Sequence, residues 1–220
     1  MASLQFAVDS MSVADIRQKY EKFELVESSL ASTPLEQFTR WLDEALKAGI
    51  NEPTAMTLAT ATAEGRPSAR IVLLKGFDEQ GFVFYTNYQS RKGHELEDNP
   101  RASLLFFWPE LERQVRIEGS VGKVSPDESD AYYRSRPLGS RIGAWVSPQS
   151  QPITREELES LNLAFTASLG EDPERPDHWG GYRVKPDLIE FWQGRPSRLH
   201  DRITFRCGED GAWTMQRIAP

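Results

Sequence analysis

Four short segments of this 220-residue chain gather side chains that can hold an anion or an aromatic ring. In Arg70-Ile71-Val72-Leu73-Leu74-Lys75, four aliphatic residues lie between two cations. Either the charges snorkel at the ends of a buried strand or the strand ends reach something anionic. Positions 70 and 75 have opposite parity, so in a regular strand they face opposite sides; if both are functional, they serve different groups or a bulge intervenes. Tyr85-Thr86-Asn87 is followed by Ser90-Arg91-Lys92, where a strand gives way to a helix. Ser90 reads as an N-cap, and cations in a first helical turn oppose the macrodipole unless an anion offsets them. Tyr132 and Arg136 sit four apart, so one helical face offers a phenol and a guanidinium together, or else the tyrosine is plain core; Ser140 lies just past Pro137. In Arg198-Leu199-His200-Asp201-Arg202, an extended backbone projects residues 198, 200 and 202 to one side. That face is either a solvated charged edge or a site for an anion, with Trp192 upstream as a flat wall.

Other chemistries are absent from the motifs. His94, His178 and His200 are scattered, Cys207 is the single cysteine, and no His-Glu-x-x-His spacing occurs, so no metal site is expected. Gly-x-Gly-x-x-Gly, a phosphate loop ending in Gly-Lys-Ser/Thr and a Gly-x-Ser-x-Gly elbow are also missing. The net charge of −7 opposes broad binding to nucleic acid or to an anionic membrane. It leaves room for a small phosphorylated ligand, which needs only a few focused donors. With one cysteine, no secretory signal and no apolar run of membrane length, a cytoplasmic setting is expected.

The elements that must position these residues follow from periodicity. Residues 1–32 are polar with a weak helical pattern and read as a mobile arm, and residues 33–220 as one domain. Thr33-Pro34-Leu35-Glu36 opens a packing helix carrying Phe38, Trp41, Leu42 and Ala45, ended by Gly49. Strands are predicted over 55–62, 68–77, 82–87, 102–108, 113–124, 181–184, 188–192, 202–206 and 212–218. Helices are predicted from Ser90 to Asp98, from Ser125 to Pro137 and from Thr154 to about Leu169. So many short strands imply a mainly β fold, a closed antiparallel barrel with peripheral helices.

From about Pro34 to Pro220 the chain resembles the pyridoxamine 5′-phosphate oxidase family. The matching stretches are residues 70–75, Phe-Tyr-Thr-Asn (84–87), Ser-Arg-Lys (90–92), Arg-Gln-Val (113–115) and Ser-Arg-Pro (135–137). Ile-Gly-Ala-Trp-Val-Ser (142–147), Gln149-Ser150, Trp-Gly-Gly-Tyr (179–182), Glu-Phe-Trp-Gln-Gly (190–194), residues 198–202 and a terminal Arg-Ile-Ala-Pro follow in order. The resemblance implies a split antiparallel β-barrel homodimer binding FMN between subunits. It implies oxidation of pyridoxamine 5′-phosphate and pyridoxine 5′-phosphate by O2 to pyridoxal 5′-phosphate, with release of H2O2 and, from the amine, NH3. Carried over, Arg70, Tyr85, Thr86, Arg91, Lys92, Gln114, Gln149, Ser150, Trp192 and Arg202 hold FMN, with Ile71, Val72, Leu73, Leu74 and Lys75 along it. Lys75, Tyr132, Arg136 and Ser140 grip the substrate phosphate. Arg198, Leu199 and His200 face the pyridine ring, Arg198 and His200 in the catalytic role, and Arg17 and Tyr20 of the arm close over it. Many members carry Gly-Gly-Leu near the Arg-x-x-Tyr element, where this chain has Glu21-Lys22-Phe23-Glu24-Leu25. The alternatives are another split-barrel flavoprotein of flavin-reductase type and a non-catalytic binder of flavin or pyridoxal phosphate.

Overall fold

The computed structural model describes residue 12 and residues 19–220. Helix α1 (Pro34–Lys47) begins with a reciprocal box: Thr33 Oγ1 accepts the Glu36 N–H (3.1 Å), and the Glu36 carboxylate accepts the Thr33 N–H (3.3 Å). Its apolar stripe buries Phe38, Trp41, Leu42 and Ala45 in the main core. The Phe38 ring stands edge-on to Phe77 and Phe82, each with centroids 5.0 Å away. Truncating a fully buried aromatic leaves a cavity among rigid neighbours. Phe38→Ala is therefore expected to cost about 3–5 kcal/mol, read as a lower urea midpoint at unchanged slope; an unchanged midpoint would contradict this packing.

Nine antiparallel strands make one sheet among the described residues. They are β1 (Ala55–Ala61), β2 (Pro67–Leu73), β3 (Gly76–Asp78), β4 (Gly81–Asn87), β5 (Arg101–Trp108), β6 (Arg113–Lys123), β7 (Trp179–Gln193), β8 (Asp201–Cys207) and β9 (Trp213–Arg217). The path runs β2-β1-β5-β6-β7-β4-β3, with β8 on β7 and β9 on β8. Its two ends, β2 and β3, are consecutive in the chain, separated only by Leu74 and Lys75. The Leu74 N–H donates to Thr54 O (2.9 Å) and the Lys75 N–H to Val83 O (2.8 Å), so the sheet curls back on itself. The result is a split barrel whose β8–β9 wing leaves the closed part through the long strand β7.

Three local expectations are corrected. The predicted strand 68–77 is broken at Leu74–Lys75, where pairing passes from β1 to β4. The predicted strands 181–184 and 188–192 are one strand, β7. Pro186 lacks an N–H and reads as a break, but a bulge at Asp187 on β7, opposite the Glu118–Gly119 step of β6, absorbs it. A Cβ on Gly119 would run into the Lys185 carbonyl, so the backbones meet there only because the residue is glycine. Finally, Leu138–Val146 forms helix α4 where no element is predicted. Two glycines in nine residues lower its propensity, and burial of Ile142, Ala144 and Val146 compensates. The other helices are α2 (Arg91–Asp98), α3 (Pro126–Ser135) and α5 (Arg155–Leu169). Among the described residues no helix is long and apolar enough to cross a membrane.

Candidate active site

A cleft of about 760 Å³ opens where β2 and β4 meet the start of α2 and the α3–α4 corner. Its lining includes Arg70, Lys75, Lys92 and Arg136 and no carboxylate. Four cations on one concave surface of an acidic chain are a site for a ligand that brings negative charge. The break after Leu73 is what lets Arg70 and Lys75 reach one cleft despite their opposite parity.

The cations are held at two ends. At the α2 end, the Arg70 guanidinium donates to Leu58 O (3.1 Å) and Thr60 Oγ1 (2.6 Å). Lys92 Nζ donates to Thr86 Oγ1 (3.1 Å), Ser90 Oγ (3.2 Å) and Gln149 Oε1 (2.8 Å). Burial, then the neighbouring Arg70 charge, pulls Lys92 down to about 8. Ser90 caps α2, and the Arg91 N–H donates to Ser150 Oγ (3.2 Å). At the other end, Arg136 lies over the Trp179 ring, Cζ 4.5 Å from its centroid. Its Nη1 is buried without a hydrogen-bond partner, and burial lowers its pKa. Trp179 continues into a stack with Tyr85 (5.6 Å), which lies 3.9 Å from Tyr132. A Cβ on Gly181 would come within 2.8 Å of the Tyr85 ring, so this wall depends on the glycine. Burial first, then Glu128, raises Tyr85 to about 12, which leaves a neutral phenol.

A second group lies on the β6–β7–β8 face. Gln114, Trp192 and Arg202 are in register across the three strands. Glu190, almost fully buried, grips Arg202 through Nε (2.7 Å) and Nη2 (3.1 Å) and also takes Arg116. His200 sits 4.6 Å from the Trp192 ring, and Tyr20 stands edge-on to both. His200 Nδ1 accepts the Arg195 N–H (3.1 Å), so the neutral ring carries its proton on Nε2. Burial, then Arg198, lowers the His200 pKa, which makes the neutral imidazole the form present at pH 7.

The expectation of an extended run from 198 to 202 is corrected. Pro196–Arg198 is a 3-10 turn with Ser197 and Arg198 at φ 57° and 63°, and β8 begins only at Asp201. Two successive non-glycine residues in the left-handed region store strain in this loop. Arg198 and Leu199 are exposed there, whereas Ile203 is in the core. Asp201 faces away from the row, accepting the Leu25 N–H (3.0 Å) and Arg217 Nη1 (2.7 Å).

Of the residues singled out from sequence, the cleft brings together Arg70, Ile71, Val72, Leu73, Lys75, Tyr85, Thr86, Lys92, Tyr132, Arg136, Ser140 and Gln149. Arg91 and Ser150 flank it through their mutual hydrogen bond. Leu74 turns its side chain into the core instead. Gln114, Trp192, Arg198, Leu199, His200 and Arg202 do not line it, and Arg17 lies outside the described residues. Asn87, Pro137 and Trp179 line the cleft unforeseen, although all three stand inside segments already singled out. Glu95 and Glu190 were also missed, although Arg91–Glu95 is an i,i+4 pair and Glu190 shares the face of Trp192. Among the described residues, no group of three or more His, Cys, Asp or Glu side chains is placed to hold a metal ion.

The family described as pyridoxamine 5′-phosphate oxidase matches residues 42–172, and the pyridoxine 5′-phosphate oxidase C-terminal dimerisation region matches residues 179–220. The chain is 63 % identical over 210 residues to the pyridoxine/pyridoxamine 5′-phosphate oxidase of Bordetella petrii, covering 96 % of this chain and 100 % of the relative. The enzyme of the same description from Cupriavidus pinatubonensis is 59 % identical over 209 residues, 94 % of this chain and 99 % of the relative. Among solved structures, PhzG from Burkholderia lata, in complex with tetrahydrophenazine-1-carboxylic acid, superposes with a TM-score of 0.85 at 32 % identity. That match covers 91 % of this chain and 100 % of PhzG. A pyridoxamine 5′-phosphate oxidase-related, FMN-binding protein of Nostoc punctiforme shares the fold, with a TM-score of 0.70 at 19 % identity over 87 % of this chain and 100 % of that one. With both family regions matched in order and relatives similar over nearly its whole length, the chain belongs to the pyridoxamine 5′-phosphate oxidase family of oxidoreductases.

Proposed function

We propose that this chain is an FMN-dependent oxidase converting pyridoxamine 5′-phosphate and pyridoxine 5′-phosphate to pyridoxal 5′-phosphate. O2 is the acceptor and H2O2 is released; from the amine, water hydrolyses the imine formed, giving the aldehyde and NH3. One observation carries the reading: a single cleft holds two separate cation clusters, and at one of them a buried arginine nitrogen has no partner within the protein. Two phosphates, each of about −1.5 to −2 charge, match two clusters. Arg70, Arg91 and Lys92, with Thr86, Gln149 and the start of α2, would hold the FMN phosphate. Lys75, Tyr132, Arg136 and Ser140 would hold the substrate phosphate. Bound there, FMN would supply the two-electron redox chemistry between substrate C4′ and O2.

The protein's own task is to orient the substrate and exclude water. Gln114, Trp192, Arg198, His200 and Arg202 lie off the cleft of their own chain, within or beside the region matching the dimerisation family. In the proposed homodimer a second copy brings them over the cleft. Ile71 and Leu199, 64 % and 70 % exposed in one chain, then become covered. Neutral His200 presents Nε2–H as a donor to the substrate ring, and Arg198 stabilises negative charge that develops there. Tyr20, packed on Trp192 and His200, closes the same edge, with Arg17 proposed as its partner in the arm.

The PhzG neighbour raises a second substrate class, a reduced phenazine carboxylate. A planar carboxylate offers two oxygens to four donors, so a phosphate is the better fit to the Lys75–Arg136 cluster. Purified protein loaded with FMN should release peroxide steadily on addition of pyridoxine 5′-phosphate, and at least ~100-fold less efficiently with unphosphorylated pyridoxine. Flavin-loaded protein that gives no peroxide with either phosphate ester would sink the reading.

A further inference from the structure

The α2 end of the cleft has a carboxylate directly behind its cations. Glu95, one helical turn after Arg91, is 4 % exposed. Its Oε1 accepts Arg91 Nε (2.8 Å); its Oε2 accepts Thr60 Oγ1 and Ser68 Oγ (2.6 Å) and lies 3.4 Å from Arg70 Nη2. Burying a carboxylate is costly, and placing one beside an anion site adds repulsion toward the ligand. Geometry and charge account for it together. Arg70 comes from β2 and Arg91 from α2, and both have long side chains with rotamer freedom to lose; Glu95 bonds to both. Arg70, Arg91 and Lys92 less one carboxylate leave a charge of +2, the complement of a phosphate dianion. Glu95 also opposes the pull of burial and Arg70 on the Lys92 proton.

We infer that Glu95 is a positioning residue for the flavin phosphate: it fixes the guanidinium groups of Arg70 and Arg91 and sets the charge of their pocket to match a dianion. The inference rests on the FMN reading above. It is tested by titrating flavin-free protein with FMN and with riboflavin, which lacks the phosphate, and following flavin fluorescence. Glu95→Gln keeps the size and one acceptor oxygen but loses the charge, and Glu95→Ala loses all three. The FMN Kd is expected to rise about 10-fold in Glu95→Gln and further in Glu95→Ala, because the charged hydrogen bonds that hold the two guanidinium groups are weakened and then lost. Riboflavin affinity, and the KM for pyridoxine 5′-phosphate at saturating FMN, should stay within about twofold of the parent.

An equal loss for both flavins would make Glu95 a purely structural residue and overturn the inference. Unchanged or tighter FMN binding in Glu95→Gln would overturn it too, because the carboxylate would then act only by repulsion. A parent protein that binds neither flavin fails at the earlier step, taking the FMN reading with it.

Discussion

Replacing Arg136 with methionine is expected to raise the KM for pyridoxine 5′-phosphate by about 100-fold or more while leaving the flavin-free protein as stable as the parent or more so. The two halves of this expectation have one cause. Arg136 stacks on Trp179 and has Nη1 buried with no hydrogen-bond partner, so its charge is desolvated and only partly compensated. Burial accordingly lowers its pKa. A half-buried charge with one buried, unpaired nitrogen weakens the fold that holds it, and methionine fills a similar volume against the indole without that cost. A bound phosphate removes the penalty and takes charge-assisted bonds worth roughly 1.5–3 kcal/mol each, two of which reach the stated factor. Urea unfolding without ligand and steady-state kinetics with saturating FMN measure the two halves separately. Loss of stability together with loss of affinity would make Arg136 a structural residue. An unchanged KM would remove it from the substrate site.

The sequence was most legible where one residue type has one physical consequence. The Thr33–Glu36 box, the alternation along β6 and the cap at Ser90 each fix an element by local rules, and each is found where predicted. It misled where a local rule was overridden from a distance. Pro186 reads as a terminator because it cannot donate, yet the bulge beside it, opposite Gly119, lets β7 run through it. Arg70 and Lys75 fall on opposite faces only in an unbroken strand, and the transfer of pairing at Leu74–Lys75 is a tertiary event. The alternation drawn across Arg198, His200 and Arg202 failed for a similar reason, since the loop before β8 is left-handed at two residues. The carboxylates behind the cations were the largest omission. A search for anion sites looks for positive charge, yet Glu95 and Glu190 are nearly fully buried and give Arg70, Arg91, Arg116 and Arg202 fixed directions. Glu95 does this inside the cleft cluster and Glu190 on the β7–β8 face. The Arg70–Arg91 pair and the Arg116–Arg202 pair thus each have an internal counter-ion that fixes their geometry without a ligand, whereas the buried Nη1 of Arg136 has no partner.

Replacing Arg198 with alanine is expected to lower kcat by about 100- to 1000-fold, the usual cost of removing one donor aimed at developing charge, with the FMN Kd unchanged. Arg198 lies outside the cleft of its own chain, on a loop held at φ 63°, beside a histidine that is neutral at pH 7. Such a residue has no role in holding flavin within one chain. Its proposed work begins only when a second copy carries the loop over the cleft, and this gives a test that a single-chain site could not pass. Assayed with substrate near the parent KM, Arg136→Met silences the cleft and Arg198→Ala silences the loop. When the two inactive variants are unfolded together and refolded, half of the dimers are mixed. Each mixed dimer has one site with both changes and one with neither, so about a quarter of the parent activity should return. No recovery, with mixed dimers demonstrated by mass, would mean that Arg198 and Arg136 act within the same chain or not on the same substrate. Recovery to about a quarter would locate the reacting ring between the Arg136 of one protomer and the Arg198 of its partner. The left-handed loop would then be explained as strain retained because the second subunit needs that arginine in that position.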